Sequence, residues 1–339
     1  MKILFIGGTG TISAAISRLL ITQGHDLYLV NRGNRNSALP QGAHLLLADI
    51  NDEPRVAELI KDLQFDCVAD FIAFKPEHLQ RDFRLFAGKT RQFIFISSAS
   101  AYQKLPVNYT ITESTPLANP FWQYSRDKIA CEDYLLQLYR NHNFPITIVR
   151  PSHTYDERTI PTAVHGRNGS WSIVKRILDG KTVIIHGDGT SLWTMTHNSD
   201  FARAFVGLIA NIHAIGEAVH ITSDETLTWN QIYQSIADAV NCPLKAIHVA
   251  SEFLAKVSDF DFYGGLLGDK ANSVVFDNSK LKRLVPGFTA TKRFDEGIKE
   301  TIANVLAHKE LQREDSEFDI WSDNLIAKIS DWEKEFSTL

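Results

Sequence analysis

Tyr124 and Lys128 stand four residues apart in a segment of helical period running from about Trp122 to Asn141, a spacing that places both side chains on one helix face. A phenol with a pKa of about 10 is a poor base at neutral pH, whereas an ammonium beside it favours the phenolate and lets it exchange a proton with a substrate alcohol. Ser98 follows an apolar run and could hold the same substrate oxygen through its hydroxyl. Tyr and Lys at this spacing also occur on many ordinary helices, so the reading needs support from elsewhere in the chain.

That support starts at Gly7-Gly8-Thr9-Gly10-Thr11-Ile12-Ser13, which follows an apolar run and opens a helix-period segment. This is the context of a dinucleotide phosphate loop. Gly7 is expected to allow the tight turn and Gly10 to let the backbone approach a pyrophosphate, with the helix start offering amide hydrogens and a partial positive charge. The third small position is Ser13 rather than glycine. At the end of the second apolar run, Asn31-Arg32-Gly33-Asn34-Arg35 holds two cations and no acid. An acid there would read the ribose hydroxyls of NAD, and an arginine accommodates the 2′-phosphate of NADP, so NADP is favoured over NAD. Asp49-Ile50 is placed to reach the adenine end, although Asp49 would serve equally as a helix cap ahead of Pro54.

The elements that must position these residues follow a βαβ rhythm. Apolar runs cover Lys2 to Ile6, Asp26 to Val30, His44 to Ala48, Asp66 to Ile72, Arg91 to Ser97 and Ile146 to Arg150, with helix-period segments between them. In the first such segment Ile12, Ile16, Leu19 and Leu20 share a face, and Gly24 sits where a left-handed cap is expected. Further on, Asp200 is expected to cap a helix from Phe201 to Asn211, and Ala218 to Thr222 reads as another core strand. The expected fold is α/β, a Rossmann-type doubly wound parallel sheet with a smaller C-terminal substrate-binding lobe. Residues 1–157 and 196–224 are assigned to the dinucleotide-binding domain, 158–195 and 225–310 to the lobe, and 311–339 to a charged helical tail that suits a surface helix or a partner contact.

Composition excludes several function classes. With 44% hydrophobic and 22% charged residues among 339, neither disorder nor a coiled coil is favoured. A net charge of −5 makes nucleic acid an unlikely partner. Cys67, Cys131 and Cys242 show no metal or redox spacing and read as small apolar residues in a reducing compartment. His153, His165, His186 and His197 lack ligand spacing and are read as hydrogen-bonding groups, so no metal is expected. No signal-peptide region and no long apolar run are seen, and a cytoplasmic protein without a membrane partner is expected.

In combination and in this order, the glycine loop, Ser97-Ser98 and Tyr124/Lys128 resemble the short-chain dehydrogenase/reductase superfamily, in particular its extended and atypical branch, the NAD-dependent epimerase/dehydratase family. The resemblance runs from Met1 to about residue 300 and includes the stretch Ile148 to Tyr155, Gly187-Asp188-Gly189 and Thr196 to Asp200. It implies that Ser98 orients substrate, Tyr124 is the acid/base, Lys128 also holds the nicotinamide ribose, and Pro151 to His153 lie beside the nicotinamide. The expected cofactor contacts are thus Gly7, Thr9, Gly10, Thr11, Ile12, Asn31, Arg32, Arg35, Asp49, Ile50, Ser97, Pro151 and His153. A homodimer through the Trp122 to Asn141 segment is implied as well. Departures narrow the chemistry. Ala99-Ser100 stand where the family's 4,6-dehydratases carry Asp-Glu, and Trp193 stands where nucleotide-sugar members place an arginine, leaving Arg167 or Arg203 as substitute diphosphate anchors. The leading expectation is an NAD(P)-dependent reductase or epimerase acting on a small polar substrate. Two alternatives remain: an RNA-handling protein like the chloroplast stem-loop RNA-binding relatives, which the stretch Phe276 to Lys280 also resembles, and a cofactor sensor without turnover.

Overall fold

A computed structural model describes residues 1–33 and 39–337 of the chain. They form two compact units, each assembled from separate stretches of sequence. The first comprises Met1–Thr154, Thr196–Asp224 and Phe276–Thr291. Its centre is a seven-stranded parallel sheet whose order is Ala218–Ile221, Ile146–Pro151, β5 (Phe93–Ile96), β4 (Cys67–Asp70), β1 (Lys2–Ile6), β2 (Asp26–Asn31) and β3 (His44–Leu47). The helices α1 (Thr11–Thr22), α2 (Glu53–Leu59), α3 (Pro76–Phe86) and α4 (Gln123–His142) connect or follow these strands. The chain leaves β1 toward β2 and β3, then returns to β4 on the other side of β1. Strand order therefore reverses beside β1, which is where a doubly wound sheet opens a crevice at its strand carboxyl ends.

The unbroken apolar runs follow from burial on both faces. In β1, Ile3 and Phe5 join one core with Ile16 and Leu20 of α1, and Leu4 and Ile6 join the other with Leu79 and Phe86 of α3. Successive strand residues point to opposite faces, so neither parity can be polar. Helix α1 ends at Gln23, and Gly24 beyond it takes a left-handed φ of +75°. Two caps differ from expectation. The helix Asn198–Leu208 is capped by His197, whose side chain accepts from the Ser199 amide, because the Asp200 carboxylate is engaged by Thr291 and Arg203. Helix α2 is capped by Asp52, which accepts from the Arg55 amide at 3.2 Å, so Asp49 is not the cap.

The second unit comprises Tyr155–Met195, Glu225–Val275 and Lys292–Leu339. The helices Trp229–Ala239 and Phe294–Ala307 pack together in it, and the strands Val183–His186 and Ala246–Val249 pair in parallel. Its last helix, Ser316–Phe336, is docked rather than a free tail: Arg176 and Lys181 each bond both Asp319 and Asp323, Phe318 is fully buried, and Trp321 packs 5.5 Å from Phe260. The division thus departs from the expected one in placing 311–339 in the second unit and 276–291 in the first. Trp193 is a buried core residue, 3% exposed and 5.6 Å from Trp229.

Candidate active site

The Gly7 loop turns with φ +85°, and a Cβ there would lie 2.5 Å from Cγ2 of Ile72. Only glycine meets both constraints. Gly10 is different: its φ is −83° and a Cβ would meet nothing closer than Ser13 Oγ at 3.6 Å. Among the described residues no atom demands glycine at that position, so it is free to let a bound group come close. Ser13, at the third small position, clamps the loop. Its hydroxyl donates to Gly7 O at 2.8 Å and accepts from the Gly10 amide at 2.9 Å, while the Ser17 hydroxyl donates to Gly8 O at 3.2 Å. The first-turn amides of α1 have no acceptor within the helix and face the loop mouth as a small positive pole.

This loop borders a cavity of about 770 Å³, within the range of small-molecule and cofactor sites. Nine expected contacts line it: Gly7, Thr9, Gly10, Thr11, Ile12, Asn31, Arg32, Asp49 and Ile50. Arg35 lies outside the described residues. Arg32 is exposed and makes no hydrogen bond or ion pair with another described residue. Asp49 accepts from the Asn51 amide at 2.9 Å. The cavity's volume, its glycine-lined mouth and the unspent first-turn amides suit the diphosphate of a dinucleotide.

Sequence reading missed part of the lining: Asn51, Ile72, His78 and Arg81 also border the cavity. Arg81 is 5% exposed and bonds Asp70, Asp82 and Asn51. Asp82 lies so deep that burial, and then the neighbouring Asp70 charge, push its carboxyl well above the usual range. Asp70 also folds the turn after β4 by accepting from the Ile72 and Ala73 amides. His78 accepts from the Phe74 amide through Nδ1 at 3.1 Å, leaving the proton on Nε2. An acid at the end of the fourth apolar run was the available signal, but its partners come from α3.

Beyond the cavity, Lys128 is 2% exposed and donates to Ala73 O and Ile96 O, each at 2.7 Å. Its ammonium also lies 4.6 Å from the Phe74 ring centre, 4.8 Å from Phe95 and 5.7 Å from Tyr124. Burial pulls its pKa down to about 8, so it is still mostly charged at neutral pH. Two of its three donors are spent on the backbone. Tyr124 is half-buried between Trp122, 4.9 Å away, and Phe74, 6.3 Å away. Ser98 is half-buried and exchanges a 2.9 Å hydrogen bond with Ser100.

Ser97, expected as a cofactor contact, gives its hydroxyl to Glu132 and is 2% exposed, which leaves its backbone for such a contact. Glu132 in turn holds Arg150 through two hydrogen bonds of 3.0 and 2.6 Å. The physical reason is burial: an arginine at the end of a central strand needs a carboxylate, and α4 supplies it four residues after Lys128. Pro151 is buried in its strand and His153 is half-buried; neither lines the cavity. Among the described residues no group of three His, Cys, Asp or Glu is arranged to hold a metal, and no helix is long and apolar enough to cross a membrane.

Residues 3–86 and 84–222 match the sequence profile described as the NAD dependent epimerase/dehydratase family. The chain belongs to that family. It is an NAD(P)-dependent short-chain dehydrogenase/reductase-type enzyme of the epimerase or reductase kind. Among characterised relatives, 2′-dehydrokanamycin reductase of Streptomyces kanamyceticus is 25% identical over 85% of this chain and 80% of its own length. A chloroplast stem-loop binding protein of Arabidopsis thaliana is 25% identical over 71% of this chain and 64% of its own length. A solved UDP-glucuronic acid 4-epimerase of Bacillus cereus, in complex with NAD, shares the fold with a TM-score of 0.71 and 18% identity over 93% of this chain and 99% of its own. The α/β architecture with its parallel central sheet is that of this fold.

Proposed function

We propose that this family member is an NADP-preferring oxidoreductase that interconverts a carbonyl and an alcohol carbon of a small polar, sugar-derived molecule, with Tyr124 as acid/base and Lys128 and Ser98 as its partners. The observation that carries this reading is the position of Lys128, which joins Ile96, a residue of the cavity lining, and Ala73, the neighbour of the lining residue Ile72, to the ring of Tyr124. A nicotinamide cofactor, when bound, supplies or removes a hydride at the substrate carbon. Gly7 to Ile12 would hold its diphosphate, Arg32 its 2′-phosphate, and Asp49 and Ile50 its adenine. In the reductive direction the Tyr124 hydroxyl gives its proton to the substrate oxygen, and the Lys128 ammonium stabilises the phenolate left behind. In the oxidative direction the same proton returns. Ser98 bonds that oxygen throughout.

The substrate side is narrowed by what is already engaged. Arg167 pairs with Glu317 and Arg203 with Asp200, so neither substitute anchor is held ready for a diphosphate. Ala99 and Ser100 supply no acid/base pair for dehydration. Both points favour a keto-sugar or aminoglycoside-like ketone over a nucleotide sugar. The RNA-handling alternative loses its motif: Asn278 is 3% exposed and bonds Thr222, Ser223 and Asp224, Asp277 O accepts from His220, and Lys280 pairs with Glu217. That stretch ties down the last sheet strand.

The test is a cofactor titration followed by turnover, using 2′-dehydrokanamycin with NADPH or NADH, and UDP-glucose with NAD, as probes. Tyr124→Phe is expected to lower turnover by about 10² to 10⁴ while cofactor affinity stays within about twofold. Unchanged turnover removes Tyr124 from its role. Arg32→Glu is expected to weaken NADPH binding by at least about tenfold, ~1.4 kcal/mol, and NADH binding far less. Equal loss for both cofactors overturns the NADP preference.

A further inference from the structure

Three serine hydroxyls, one of them on the residue that follows Tyr124, are linked by hydrogen bonds, and their polarity can be worked out from those bonds. The Ser125 hydroxyl, fully buried on the first turn of α4, donates to Ser100 Oγ at 2.7 Å. Ser100, 3% exposed, exchanges a bond of 2.9 Å with Ser98 Oγ, and its backbone amide donates to the same atom at 3.2 Å. Each hydroxyl has one proton and two acceptor positions. The Ser125 proton occupies one acceptor position on Ser100, and among the described residues the only hydrogen-bond neighbour left for the Ser100 proton is Ser98. The reverse polarity would bury the Ser100 proton without an acceptor, which native interiors avoid. Ser98 therefore accepts twice from Ser100, once from the hydroxyl and once from the amide. Both its acceptor positions are filled and its own proton is unspent.

We propose that Ser125 and Ser100 form a one-way hydroxyl chain that holds Ser98 as an obligatory hydrogen-bond donor to the substrate oxygen, making Ser100 and Ser125 positioning residues for a carbonyl-bearing substrate. The proposal rests on the reading of Ser98 and Tyr124 given under Proposed function and adds a direction to it. A ketone oxygen has lone pairs and no hydrogen, so it is met by a donor already aimed, with no hydroxyl to reorient during reaction. The same donor stabilises negative charge growing on that oxygen as hydride arrives and the Tyr124 proton follows. The chain is braced from outside: the Asn119 side-chain amide donates to Ser100 O at 2.8 Å, while its carbonyl oxygen accepts from the Phe121 and Trp122 amides that lead into α4. The start of the helix that carries Tyr124 is thereby tied to the residue that orients Ser98. Ser100 stands where the family's dehydratases carry an acid, so a hydroxyl that passes polarity along has taken the place of a group that exchanges a proton.

Two measurements test the chain. Neutron diffraction from deuterium-exchanged crystals of the full-length protein is expected to show the Ser125 deuteron on the line to Ser100, the Ser100 deuteron on the line to Ser98, and the Ser98 deuteron directed away from Ser100. A Ser98 deuteron pointing at Ser100 overturns the proposal. In the reductive assay with 2′-dehydrokanamycin, Ser100→Ala is expected to lower kcat about tenfold, with cofactor affinity and KM within about twofold, because a freed Ser98 hydroxyl spends its time in other orientations. Ser100→Thr, which keeps the hydroxyl, is expected to restore most of that loss. An unchanged kcat in Ser100→Ala, or equal losses in the Ala and Thr variants, also overturns it. A wild-type protein that consumes neither NADPH nor NADH with this probe counts against the proposed function, while the deuteron positions still decide the hydroxyl chain.

Discussion

The two ends of the site are built on different principles. At the glycine loop the backbone would do the proposed binding, and side chains keep out of the way or clamp the turn, as Ser13 and Ser17 do from the adjoining helix. At the Tyr124 end side chains would do the proposed chemistry, and distant partners hold two of them, Lys128 by Ala73 and Ile96 and Ser100 by Ser125 and Asn119, while Ser98 is held by Ser100 two residues on. A local motif can build the first kind of site. The second needs the completed sheet, because its acceptors exist only where β4, β5 and α4 meet.

The sharpest way to break this contrast is to disturb the buried pair under the chemical end. Glu132→Ala strips Arg150 of its carboxylate and Ser97 of its acceptor, leaving a cation only 6% exposed with no more than the Glu113 carbonyl and the Tyr102 ring beside it. A loss of about 3–5 kcal/mol in chemical denaturation is expected. A change under about 1 kcal/mol would mean that water or another group already compensates Arg150. Gly7→Ala acts at the other end and should cost less globally. It forces a left-handed residue, about 1–2 kcal/mol, and pushes a methyl into Ile72. Cofactor affinity is expected to fall further than stability does, and equal falls would show that the loop is structural rather than a binding device.

The gentlest effect at any one pH step is a slope with pH. Lys128 titrates near pH 8 when folded, against about 10.4 when unfolded. Between these values the unfolded chain binds the proton that the folded chain has released, so this group favours folding increasingly as pH rises through that window and has no further effect above it. Lys128→Met removes the contribution, and the difference between the two stability profiles should rise by at most ~1.4 kcal/mol per pH unit. Parallel profiles would place the Lys128 pKa at its ordinary value and end the claim that burial depresses it. Above pH 8 the same deprotonation would remove the charge that the proposed mechanism places beside the Tyr124 phenolate.

Much of the frame was legible because its signals are local. The β1 turn, the first-turn amides of α1 and the four-residue step from Tyr124 to Lys128 depend on neighbours in sequence, and continuous apolar runs announced a sheet covered on both faces. Errors fell where two elements compete for one side chain. Asp200 looks like a cap, yet Thr291 and Arg203 claim its carboxylate, and Asp49 looks like a cap, yet Asp52 takes that place. Asn51, His78 and Arg81 carry no local signature at all, since they gain meaning only by facing one cavity.

What the amino-acid order determined alone was therefore periodicity, turn chemistry and the pair on one helix face, all set by dihedral preference and the reach of adjacent residues. Tertiary structure alone decided which polar groups have their hydrogen bonds spent and which keep one to offer. That depends on burial and on partners brought from 25 to more than 100 positions away, such as Ser125 to Ser100 and His220 to Tyr102. Hydrogen-bond satisfaction belongs to the whole fold, and here it separates a serine that only packs from one that is poised to donate.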